Sequence, residues 1–218
     1  MKKILVLCVV IFLSGCASGP PAPELQTNAK GSLDRAVNAY LSGDDRVAAE
    51  EFARTRSEMA SSGQVALVVR AELIRCAAQL ASLVLNECSG FEALRQDAAA
   101  PERAYADYLA GRLQVQDIAL LPAQHQSVMR ATAETSVSVL AGISDPLARL
   151  VGAGVLLRAE RASPAALALA VDTASMRGWR RPLLTWLGVQ VVRAEKGGDA
   201  AEAQRLQRRM DLILEAGK

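Results

Sequence analysis

One histidine in 218 residues, His125, leaves almost no material for a metal site built on imidazoles or for a triad with histidine as its base. The Gly-x-Ser-x-Gly elbow, the His-Glu-x-x-His pair and the glycine-rich phosphate loop are all missing. Aromatic residues are only 4% of the chain, so strand-favouring side chains are scarce. Alanine and leucine dominate a hydrophobic fraction of 51%, a mixture that packs as close helices. Long apolar runs are lacking too. The one at the N-terminus, Ile4 to Leu13, would cover about 15 Å as a helix, half of a roughly 30 Å hydrocarbon core, which excludes a spanning helix there.

That short run is informative for another reason. Lys2 and Lys3 precede it, and Leu13-Ser14-Gly15-Cys16 closes it with small residues and a thiol, the layout of a secretion signal. The motif resembles the lipobox of bacterial lipoproteins. The resemblance implies cleavage before Cys16 and attachment of lipid to its thiol and its new amino group, so that residues 1–15 are a signal peptide. By the same resemblance Ala17, standing where an aspartate retains enteric lipoproteins in the inner membrane, favours the outer membrane with the protein facing the periplasm. Losing residues 1–15 removes two lysines and no acid, leaving 23 basic against 23 acidic residues. With no net basic field, nucleic acid is not an expected partner.

Residues 16–30 carry Gly19, Pro20, Pro21 and Pro23 with few large apolar side chains, and are expected to form the acylated cysteine and a flexible tether of about 20 Å reach. Residues 31–218 are expected to form an all-α domain. Leu33, Ala36, Val37, Tyr40 and Leu41 recur at helical spacing, and Gly43-Asp44 ends that helix and caps the next, which carries Val47, Ala48, Phe52 and Met59. A longer apolar stripe follows through Val65, Val69, Leu73, Cys76 and Leu80, interrupted at Asn86 to Gly90. Further helices are expected from Pro101 to Gly111 and from Pro122 to about Leu140. Pro146 and Pro164 open others behind the caps Asp145 and Ser163, and Asp199 to Glu202 is a capping-box pattern before Ala203, Leu206, Met210 and Ile213.

The chain also repeats itself. Leu156 to Arg161 is echoed by Val191 to Lys196 at an offset of 35, and Val68 to Glu72 is a third, less regular copy. An offset near 34 is that of stacked helix-turn-helix units. The hairpin at Gly43 with Ala48 and Phe52, and Trp186-Leu187-Gly188 followed by Gly198 and Ala203, resemble tetratricopeptide repeats, which implies a stack that offers a groove to a protein partner. Two architectures stay open: antiparallel hairpins stacked as such an array, or an irregular helical bundle.

Chemistry-bearing residues are few. Ser127 is two residues from His125 and so off its helix face, and His125 is expected to be an exposed polar residue. Cys76 and Cys88 are the thiols left once Cys8 leaves with the signal and Cys16 is acylated, and an oxidising periplasm pairs them. One unbroken helix would hold them about 18 Å apart, so pairing requires the helix to end soon after Leu80; two unpaired buried thiols are the alternative. Arg177, Trp179, Arg180 and Arg181 surround an interhelical turn, and are the candidate partner-binding residues because arginine and tryptophan are enriched at interface hot spots. Trp179 at a hairpin junction can equally be a packing residue. No catalytic residue, cofactor or metal is assigned. The expected function is a lipid-anchored periplasmic scaffold that binds a protein partner of the envelope, the other candidate being an envelope enzyme or cell-wall ligand-binding lipoprotein.

Overall fold

The computed structural model describes residues 23–216, and among them there are eleven α-helices, one 3-10 segment and no strand. The fold is all-α, as the composition and periodicity predict. Residues 13–16, read as resembling a lipobox, Cys8 and the expected tether as far as residue 22 lie outside the described residues.

Helix α1, Pro23–Ser42, starts eight residues earlier than expected, inside the span assigned to the tether. Gly43 then adopts φ +89, and Asp44 caps α2, Asp45–Ser61, by accepting the Val47 N–H. Helix α3, Val65–Ala81, ends one residue after Leu80. The chain turns back through α4, Ser89–Glu92, into α5, Ala100–Leu109, and the 3-10 segment Val115–Leu120.

The single helix expected from Pro122 to Leu140 is two: α6, Ala123–Arg130, and α7, Ser136–Ala141. The break is local. Thr132 and Thr135 exchange side-chain to backbone hydrogen bonds, Thr132 N–H to Thr135 Oγ1 at 2.9 Å and the reverse at 3.4 Å, which substitutes for helical bonding. The last four helices form two hairpins, α8 (Pro146–Arg158) with α9 (Pro164–Met176) and α10 (Arg180–Lys196) with α11 (Ala200–Glu215). Their first helices begin 34 residues apart, which is the physical counterpart of the repeated string.

Helices α3 and α8 form the centre. They cross closely because Gly154 of α8 lies against Leu80, where a Cβ would come within 3.0 Å of the Leu80 carbonyl oxygen. Around this crossing Val69, Leu150, Val151, Leu156 and Phe91 are almost fully buried. Trp186 of α10 is wholly buried, and its indole N–H donates to the Ala81 carbonyl at 3.0 Å, satisfying a group the end of α3 leaves free. In an open repeat array each unit touches its sequence neighbours alone. Here α1 packs on α10 as well as on α2 and α3, so the chain closes into a bundle around α3 and α8.

Candidate functional site

The largely apolar opening in this bundle is a cleft of about 440 Å³ between α1, α2 and α3. Helical spacing floors it with methyl groups: Ala36, Ala48 and Ala78 are buried, and the exposed Ala49 stands at the rim. Tyr40 and Phe52 form aromatic walls, and Arg75 and Gln79 bring polar groups from α3. These residues are periodic with the core stripes of their helices, which is why the sequence shows Tyr40 and Phe52 as packing residues and gives no sign of a cleft.

Arg75 is oriented before anything binds. Its guanidinium lies 5.2 Å from the Phe52 ring centroid and donates from Nε and Nη2 to Glu72 Oε2 at 3.1 and 2.9 Å. Glu72 is only 3% exposed, and its other oxygen accepts from Arg56 Nε at 2.8 Å. One carboxylate therefore serves two guanidinium groups. Gly90 closes this corner: its α-carbon lies so near the Glu72 carboxyl that a Cβ would overlap it.

Cys88 precedes Gly90 by two residues, and it sits at disulfide distance from Cys76 on α3, with Cα atoms 5.8 Å apart. The expected pair is brought together because α3 ends at Ala81 and the chain doubles back.

The four residues assigned to partner binding are engaged within the chain, which corrects that assignment for two of them outright. Trp179 is 5% exposed and its indole N–H donates to Asn38 Oδ1 on α1 at 3.1 Å. Arg181 donates to the Tyr40 carbonyl at 2.7 Å, pairs with Asp45, and lies 4.4 Å from the Tyr40 ring centroid. Arg180 rests against Gly43, and the exposed Arg177 covers the Trp179 ring at 5.2 Å. Together they clasp the first hairpin to α10. Arginine and tryptophan suit an internal interface for the same reasons they suit an external one.

His125 is likewise not exposed. It is 2% accessible, its Nδ1 lies 3.0 Å from the Tyr108 hydroxyl, and the Tyr105 ring is 5.5 Å away. Burial pushes its pKa down to about 4, while the charge of Asp145 opposes that shift. A neutral imidazole paired with a phenol inside an apolar shell is a packing group, and no cleft reaches it among the described pockets.

Among the described residues no cluster of three or more His, Cys, Asp or Glu has the arrangement of a metal site, and no helix is long and apolar enough to cross a membrane. The chain matches no protein-family model, no curated protein and no solved structure.

Proposed function

We propose that this protein is a lipid-anchored helical scaffold of the cell envelope, attached through Cys16 to the outer membrane, that engages a protein partner on the periplasmic side. The observation that carries the reading is the arrangement at residues 13–16, a thiol directly behind Leu13-Ser14-Gly15 at the end of a short apolar run. The Cys76 and Cys88 pair supports it, since such pairs persist in oxidising compartments.

Labelled palmitate fed to growing cells tests the anchor. Wild-type protein incorporates the label and fractionates with membranes, whereas Cys16→Ser remains full length and unlabelled. A photo-crosslinking residue at the exposed Arg177 then captures a defined envelope protein from the acylated form and not from Cys16→Ser. A wild-type protein that takes up no label and fractionates as soluble overturns the proposal.

A further inference from the structure

We infer that the cleft between α1, α2 and α3 is a binding site for a small carboxylate with an apolar body. The inference concerns the helical domain alone and depends on neither the anchor nor the protein partner.

Volume and lining set the body of the ligand. About 440 Å³ lies within the roughly 300–1,000 Å³ range in which clefts enclose most of a small molecule. Alanine methyls below and the Tyr40 and Phe52 rings at the sides offer an apolar chain contact without a polar group to desolvate.

Charge sets the head group. A guanidinium has five N–H donors, and Glu72 takes two of those on Arg75, so three remain. Glu72 also balances Arg56, so the group of three carries one net positive charge beside the cleft. Asp45, an exposed carboxylate that also lines the cleft, is paired with Arg181, so these two charges cancel. The Gln79 amide and the Tyr40 hydroxyl line the same cleft, and the contacts of Tyr40 with Arg181 go through its carbonyl and ring face. A carboxylate is an acceptor only, and it matches three donor groups otherwise left to water and one surplus positive charge. An ammonium head would meet repulsion, and a neutral alcohol would leave the charge unanswered.

Preorganisation adds to this. Stacking on Phe52 and the bonds to Glu72 fix Arg75 in place, so little side-chain freedom is lost when a ligand arrives.

The test is calorimetric titration of octanoate into the full-length protein, with protein-free sample buffer as the blank and octanol and octylammonium as head-group controls. Saturable binding of one octanoate per chain is expected, at least tenfold tighter than either control. Arg75→Gln weakens octanoate about tenfold and leaves octanol unchanged. Ala49→Phe, at an exposed rim position, blocks binding with the helical circular dichroism intact. Gln79→Ala gives a smaller loss, and its comparison stands even if Arg75→Gln disturbs Glu72. No saturable heat above the blank, equal binding of all three probes, or octanoate binding indifferent to Ala49→Phe would each overturn the inference.

Discussion

The Tyr108 hydroxyl and His125 Nδ1 meet at 3.0 Å in a shell that water does not reach. Two residues seventeen apart on different helices thereby tie α5 to α6. Burial is the main reason the His125 pKa falls to about 4 from an ordinary 6.5. Between those two pH values the unfolded chain takes up a proton that the folded chain refuses. The contribution of the neutral imidazole is therefore complete above about pH 6.5 and lost progressively as pH falls toward 4. By linkage it amounts to about 3 kcal/mol. Urea unfolding of wild type and His125→Gln at several pH values between 4 and 7 measures it. The two stabilities should converge as pH falls, and parallel curves would show that the imidazole carries no such dependence.

The clasp between the first hairpin and α10 makes a second prediction. Arg181→Glu removes the hydrogen bond to the Tyr40 carbonyl and sets a carboxylate beside Asp45. A loss of about 2–3 kcal/mol is expected, the scale of a charged hydrogen bond left unmade. Arg177→Glu, whose guanidinium covers Trp179 from the solvent side, should cost under about 1 kcal/mol. Denaturant midpoints rank the two, and limited proteolysis should place the opening of Arg181→Glu in α1 and α2.

The caps were legible because they are local. Asp44, Asp145, Ser163 and Asp199 each accept the N–H three residues on, as the sequence spacing requires. The break between α6 and α7 goes against the sequence expectation of one helix although its cause, the Thr132 and Thr135 pairing, is also local. The burial of His125 was hidden for a different reason. Its flanking Gln124, Gln126 and Ser127 look solvated, and only a long-range partner, Tyr108, gives the ring a place in the core. The cleft was invisible because its walls come from three helices, and its cation is oriented by Glu72, a residue whose role depends on Arg56 sixteen positions earlier.

A third prediction concerns the cysteine pair. Cys76 and Cys88 close a loop with a separation of 12 residues, and a cross-link of that length contributes about 3 kcal/mol in the loop-entropy account. Alkylation of the denatured, unreduced protein should leave both thiols unmodified, with the mass two units below the reduced form. Reduction should lower the thermal midpoint. Labelling of both thiols without reductant would show that the pair is not bonded.

Two glycine-to-alanine substitutions should move stability in opposite directions. At Gly90 a Cβ would overlap the Glu72 carboxyl, which is buried and shared between Arg56 and Arg75. Helix α4, which holds Gly90, is held in place because Cys88, just before it, pairs with Cys76 on α3. Either the carboxylate shifts away from its guanidinium partners or the turn is displaced, and a cost of about 2–4 kcal/mol is expected. At Gly188, inside α10, a Cβ meets nothing within 4 Å. Alanine there removes backbone freedom from the unfolded chain and should stabilise by about 0.5–1 kcal/mol. Chemical denaturation of both variants checks the pair. Glu72→Ala in the Gly90→Ala background separates the causes: if the clash is with the carboxyl, the two losses combine to less than their sum, because the side chain that the Cβ strikes is gone. Full additivity would place the cost of Gly90→Ala in the turn itself and leave Glu72 uninvolved.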